Sequence, residues 1–463
     1  MDRYVGIDLG TSGLKVAVVG EDGSMLAESQ AEYTVDSPRP GWAESDPAAW
    51  ISGLEAALAA VATSLAQGRV RAVGVAGQMH GAVLCDVAGG ALRPAVLWPD
   101  RRADKEVALW RKLPEPVRSR LANPLVPGMT GPMVRWLLDH EPSAASQASM
   151  VLLPKDYLRV ALGGALVTDR SDASATLLWD VIEDGWSSAT LEGTGLPSQL
   201  LPLVAGCSDV VGETLLLGEV WGGVPIVVGC ADTPAAMLAV GHPAEDIVQV
   251  NLGTGAQVLR TVDRPEARAD PPVHLYADAD GGWYAMAAVQ NAGLALGWVR
   301  RLFGLDWPDL FAIFASTSPG AGGVSFLPFL TGERGGVAGP DSQGAWIGMS
   351  TGTSRDDLIR AAMEGMAFCV RRAVELLDAG GRPVRLTGGG GRDPGVQRLL
   401  AHVLGVPVRR AKVRSASATG AAMLAARGVG SRIDAAPRFG PDVAPTPDEA
   451  LDDAYRVWLT RLS

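Results

Sequence analysis

One short pattern occurs twice, about half a chain apart, and it constrains the fold more than any other feature. Gly6-Ile7-Asp8-Leu9-Gly10-Thr11-Ser12-Gly13-Leu14-Lys15 stands near the start, and Val250-Asn251-Leu252-Gly253-Thr254-Gly255-Ala256 stands midway. Each Leu-Gly-Thr follows a β-type apolar run and is followed by another, at Val16 to Val19 and at Val258-Leu259. The pattern predicts strand, tight turn, strand. Glycine has no Cβ, so such a turn lets backbone N–H groups and a hydroxyl approach a phosphate closely. Two such turns in equivalent places predict a duplicated fold that grips one phosphate ligand from both sides.

The 463 residues exceed one ordinary core and predict two or three domains. Hydrophobic content of 47% with 20% charged residues is that of a packed globular protein. A net charge of −11 argues against a general nucleic-acid or anionic-membrane surface, but not against a local basic pocket for a phosphate ligand. Cys85, Cys207, Cys230 and Cys369 form no Cys-x-x-Cys pair, which predicts neither a disulfide framework nor structural zinc. Asp2 and Arg3 lead straight into a strand, so no secretory leader is expected, and no window reads as apolar enough to span a bilayer. The expected location is the cytoplasm.

Strands are expected at Tyr4–Asp8, Leu14–Val19, Arg71–Val75, Ala82–Asp86 and Val224–Val228, and the pattern restarts at Ile247–Leu252 and Val384–Leu386. Asp46 and Pro47 open a helix whose apolar face is Trp50, Leu54, Leu58, Val61 and Leu65. Ala103–Asp180 reads as a helical, proline-broken insertion. A second long helix is expected from Arg355 to Asp378, with a Ser354/Asp357 capping box and a stop at Gly380. A last helix follows Ser417-Ala418-Thr419-Gly420, and Ala435–Pro447 reads as a surface connection. The boundary near Gly241-His242-Pro243 divides the chain into residues 1–242 and 243–463.

Phosphoryl transfer needs phosphate cradles, a metal held by carboxylate and a base for the attacking hydroxyl. Asp8, at the end of the first strand, either holds Mg²⁺ or only shapes its turn. Lys15 offers charge to a phosphate or is a solvated strand lysine. Asp232 ends an apolar strand just before a helix, where open α/β sheets place their ligand crevices; it is a candidate base, although position alone favours a helix N-cap. Gln78-Met79-His80-Gly81 sets an amide and an imidazole where a polyol can be bound. Trp42, Trp98 and Trp136 are candidates to stack on a sugar face. The run Gly388-Gly389-Gly390-Gly391-Arg392 follows a buried-type strand and suits the close approach of a nucleotide.

These stretches, with Leu153-Pro154-Lys155-Asp156-Tyr157, Ser171-Asp172-Ala173 and Gly332-Glu333-Arg334, resemble the FGGY carbohydrate kinases over nearly the whole chain. The resemblance implies an α/β fold of two actin-like, ribonuclease H-like ATPase domains facing a central cleft. The first would hold sugar and base, the second nucleotide. It implies ATP-dependent phosphorylation of a sugar or polyol hydroxyl. Gln78–Gly81 and Leu153–Tyr157 are similar to the branch acting on D-xylulose, with another ketose, an alditol, or a lapsed sugar-binding sensor as alternatives. By motif match Asp232 becomes the catalytic base. Gln78, Met79, His80, Asp232 and Thr233 contact sugar. Asp8, Gly10, Thr11, Ser12, Lys15, Gly253, Thr254, Gly388, Gly389 and Arg392 line the ATP site, with Asp8 at Mg²⁺. The implied partners are the sugar and ATP, with no nucleic acid and no membrane; homodimers are frequent in the family. The chain departs from the family pattern at Ala231 and Thr233 beside the base, at Gly255-Ala256, at Pro99 and at Gly335-Gly336, and these changes bear on substrate choice.

Overall fold

The computed structural model describes residues 1–215, 222–333, 336–433 and 437–462. Two mixed sheets organise it. In the first, the strand order is Val210–Glu213, Pro225–Val227, Arg69–Gly77, Asp2–Leu9, Gly13–Gly20, Met25–Glu32, with Cys230–Ala231 also pairing on Arg69–Gly77. In the second it is His274–Ala277, Trp283–Val289, Ala256–Val262, Val248–Leu252, Val384–Thr387, Val408–Lys412, Arg438–Val443. One plan underlies both. The strand that enters each Leu-Gly-Thr turn is central; antiparallel strands add to it on one side, the next two in the chain in the first sheet, and Ala256–Val262 then Trp283–Val289 in the second, with His274–Ala277 at the outer edge. Parallel strands build the other side. The duplication legible in the two turns is therefore a duplication of whole α/β domains.

The first long helix is Pro47–Ala66, with the Asp46 carboxylate accepting from the Ala48 N–H. Trp50, Leu54, Leu58, Val61 and Leu65 are buried against Val5, Val16 and Val18 of the first sheet. The expectation that no segment is apolar enough to cross a membrane needs correction, because this alanine-rich helix passes by length and composition. Its large apolar side chains all lie on one face, packed on the sheet, which is how a core helix uses them. The Ser354/Asp357 capping box is present. That helix runs from Arg355 to Leu376, and Gly380 does not stop it: Asp378 takes the left-handed turn, with φ +50°. Two more expectations at the C-terminal end are corrected. Arg438–Val443 is an edge strand on Val408–Lys412 rather than a loose connection, and Glu449–Thr460 forms a further helix whose Leu451, Tyr455 and Trp458 complete the second core. Arg334 and Gly335 of the expected Gly332–Gly336 motif, and Ala435 and Ala436, lie outside the described residues. All four cysteines are free and buried.

Small residues bring the halves together. Helix Ala416–Gly428 belongs to the second half of the chain, yet it packs on the first sheet and on helix Asp232–Val240. A Cβ on Gly6 would lie 1.7 Å from the Ala418 carbonyl oxygen, and one on Gly420 would lie 1.8 Å from that of Ala235. Backbone touches backbone there, so nothing can swing aside. Gly420→Val is expected to cost about 3 kcal/mol or more, read as a lower urea midpoint. A midpoint equal to wild type would show that the helices can part without penalty.

Candidate active site

Each phosphate turn is closed by its own backbone. The Gly10 N–H donates to the Gly13 carbonyl at 2.9 Å, and the Gly253 N–H donates to that of Gly255 at 2.8 Å. The Ser12 and Thr254 side chains stand exposed, and that of Thr11 partly so. The second turn abuts the start of helix Gly293–Leu302, where Gly293 and Leu294 donate N–H groups to the Gly253 and Thr254 carbonyls. The first turn is fixed by side chains. Tyr33 Oη donates to the Gly10 carbonyl at 2.5 Å, Gln78 Nε2 donates to it at 3.2 Å, and Trp98 Nε1 donates to Thr11 Oγ1 at 2.9 Å.

Asp8 and Asp232 come together at the base of the cleft. Burial, then the neighbouring Asp232 carboxylate, push the Asp8 carboxyl up to about 7, against a partial pull downward by Lys15. Burial pushes Asp232 up to about 6, against opposing hydrogen bonds from Thr233; Thr233 Oγ1 donates to Asp232 Oδ1 at 3.2 Å. Asp232 is not a helix cap: it is the first helical residue, Ala231 holds the cap position, and no side chain caps that end. A carboxyl held near 6 in a cleft is matched to accepting a proton near neutrality. Asp8, Lys15, Thr233, Gly388, Gly389 and Arg392 line one cavity of about 280 Å³. Gly388 is required by protein packing, since its φ is +85° and a Cβ would lie 2.3 Å from the Leu252 carbonyl oxygen. Gly389 faces open space.

The Gln78–Gly81 loop lies on the same side as Asp232. Gln78 is buried, its Nε2 is bound to Gly10, and its Oε1 has no hydrogen-bond partner. His80 has φ +70° and its Nδ1 lies 2.6 Å from the Ala175 carbonyl. That contact requires a proton on Nδ1 and makes Nε2 the accepting nitrogen. Met79 is buried under Tyr284, whose hydroxyl meets its sulfur at 3.8 Å. Of the three tryptophans considered for stacking, Trp98 serves the first turn. Trp42 and Trp136 meet edge to face at 5.2 Å, with the Arg102 guanidinium 3.7 Å above the Trp42 ring.

Comparison with known proteins fits this geometry. The N-terminal domain of the FGGY family of carbohydrate kinases matches residues 3–239, and its C-terminal domain matches residues 248–429. The chain belongs to the FGGY family of carbohydrate kinases. The xylulose kinase of Escherichia coli (strain K12) is 33% identical over 432 residues, covering 92% of this chain and 89% of the relative. A glycerol kinase of Alkalilimnicola ehrlichii is 32% identical over 450 residues, covering 93% and 91%. The crystal structure of a "xyloylose kinase" from Brucella ovis superposes with a TM-score of 0.89 at 29% identity, covering 99% of this chain and 98% of that one. This FGGY protein is accordingly an ATP-dependent sugar kinase of two α/β domains.

The structure gives parts in this FGGY site to residues that the sequence left without a role. Asn251 occupies in the second domain the place that Asp8 holds in the first, and it bonds Gln257 and Thr387 while lining the cavity. The duplicated pattern contained that signal, since Asp8-Leu9-Gly10-Thr11 aligns with Asn251-Leu252-Gly253-Thr254. The two turns thus differ in charge, and only the first offers a carboxylate. Behind Asp232, Lys155, Asp156, Asp169 and Asp172 form an ion cluster with no exposed atoms, joined by Arg159. Ser171 Oγ donates to Asp169 and accepts the Ala231 N–H at 3.0 Å. The cluster therefore holds the residue that precedes Asp232. Glu333 accepts the Gln290 N–H at 2.7 Å and steadies the approach to helix Gly293–Leu302.

Proposed function

We propose that this kinase converts D-xylulose and ATP to D-xylulose 5-phosphate and ADP, as a xylulose kinase. The observation that carries the chemistry is the Asp232 carboxylate, poised near 6 beside Asp8 and on the same side as the Gln78–Gly81 loop. A sugar hydroxyl gives its proton to Asp232 as its oxygen bonds to the γ-phosphorus, and the bond to the ADP oxygen breaks. The Gln78–Gly81 loop borders the sugar. The Ser12 and Thr254 hydroxyls and the backbone of both turns face the phosphates from opposite sides, with residues 1–242 bringing sugar and base and residues 243–463 bringing nucleotide. Closing the two sides together excludes water from the transferred group.

The donor set fits Mg²⁺, which keeps most of its waters and takes one or two carboxylates with phosphate oxygens. Asp8, the carboxylate beside the first Gly-Thr turn, would hold it, which leaves Asp232 to take the proton. Bound there, it would neutralise charge on the phosphates.

The sugar assignment rests on the xylulose kinase relatives. A polyol is the second reading, favoured by the glycerol kinase relative and by Thr233, which gives a shorter contact than an amide. An ADP-release assay over D-xylulose, D-ribulose, xylitol, ribitol and glycerol decides between them. D-xylulose is expected to lead in kcat/KM by about tenfold or more. A lead by glycerol or an alditol would replace the sugar assignment and leave the chemistry intact.

A further inference from the structure

The chain as a whole is acidic, with a net charge of −11, yet one groove between the two sheets is strongly basic. It lies beside the Asp8–Gly389 cavity and shares Lys15, Arg392 and Arg410 with it. Lys412, Arg414 and Arg438 extend it, and its volume is about 750 Å³. Arg414 is paired with Glu28 at 2.5 Å. Among the described residues, Lys15, Arg392, Arg410, Lys412 and Arg438 have no carboxylate at ion-pair distance. Arg410 Nε is buried without a hydrogen-bond partner. The helix Ala416–Gly428 starts at the same wall. Its preceding residue, Ser415, spends its hydroxyl on Glu28, so no side chain caps the helix and its first N–H groups keep their partial positive charge.

ATP phosphates account for Lys15 and Arg392; Arg410, Lys412, Arg438 and the bare helix start continue the same wall, and gathering them there costs self-repulsion unless a further anion neutralises them. The groove is large enough for a small molecule. Lys15 comes from the first sheet, and Arg410, Lys412 and Arg438 come from the second. The geometry points to a second ligand site, for a small anion carrying two phosphate groups, adjoining the ATP site at Lys15, Arg392 and Arg410, reaching out to Lys412 and Arg438, and bridging the two domains. Its phosphates replace the repulsion between the domains with attraction to both, which makes it a site for an effector of the kinase. The inference concerns binding and is independent of which sugar is phosphorylated.

Inorganic pyrophosphate is the probe. Calorimetry is run on the full chain alone and on the chain saturated with the magnesium complex of a non-hydrolysable ATP analogue. Pyrophosphate is expected to bind in both cases, and Lys412→Gln/Arg438→Gln is expected to weaken it about tenfold or more with ATP affinity and sugar-dependent ADP release unchanged. Both substituted side chains are exposed, so folding is not at stake. Loss of pyrophosphate binding when the analogue is present would assign the cations to the phosphates of ATP and overturn the inference. Equal binding by the variant, or no binding at all, would overturn it as well. Failure of the kinase reading would appear separately, as absent ADP release by the wild type.

Discussion

Asp232→Asn lowers kcat by about 10²–10⁴-fold while sugar and ATP still bind. The amide keeps the size and the Thr233 contact of the carboxylate but cannot take a proton from a hydroxyl. Asparagine also removes the like charge that helps raise Asp8, which leaves Asp8 more readily ionised. Calorimetry with sugar alone and with nucleotide alone separates binding from turnover. The pH dependence is a second readout with a fixed sign. A base works deprotonated, so wild-type kcat at saturating sugar and Mg-ATP falls as pH drops through about 6, where Asp232 takes up its proton. Asp8 also titrates in the free enzyme, and kcat rather than kcat/KM keeps it out of the limb. The variant has no such group, and the acid limb attributed to it disappears. Retained turnover, or an unchanged acid limb, would take Asp232 out of the base role.

Lys155→Met unfolds the first domain more readily than any other single change of a side chain in the ion cluster, with an expected loss of about 3–5 kcal/mol. Lys155 Nζ lies 2.5 Å from Asp156, 2.9 Å from Asp169 and 3.3 Å from Asp172, and none of the four side chains is exposed. Burial raises Asp172 well above the usual carboxylate range, which makes it the carboxyl of the cluster that gives up its charge most readily. Lys155 and Arg159 are the two cations set against the carboxyls. Methionine fills the space of lysine but leaves the carboxyls facing one cation. The same change loosens Asp169, hence Ser171 and the Ala231 N–H, so kcat falls along with stability. Asp172→Asn is the matched control. It replaces the carboxyl most disposed to be neutral with an amide of the same size and is expected to stay within about 1 kcal/mol of wild type. A urea midpoint that falls equally in both variants would show that charge balance is not what the cluster supplies.

The sequence by itself determined the parts that depend on local chemistry. Strand-turn-strand at both Leu-Gly-Thr sites, the Asp46 and Ser354 helix starts and the apolar face of Pro47–Ala66 follow from periodicity, caps and glycine. Because the pattern repeats, it also carried the two-domain plan and the family. Other side chains answer to distant contacts as well as to local preference. Ala231, not Asp232, holds the cap position, and the ion cluster behind Ala231 fixes the backbone that carries Asp232. Half of the Gln78 amide is committed to the Gly10 turn. Leu252 occupies one side of Gly388, and Gly389 holds the open one. Only the tertiary structure decided these contacts, along with the close packing of Ala418 on Gly6 and the basic groove at Lys15 and Arg410. In each case the partner lies tens to hundreds of positions away along the chain, and periodicity and propensity report only on near neighbours.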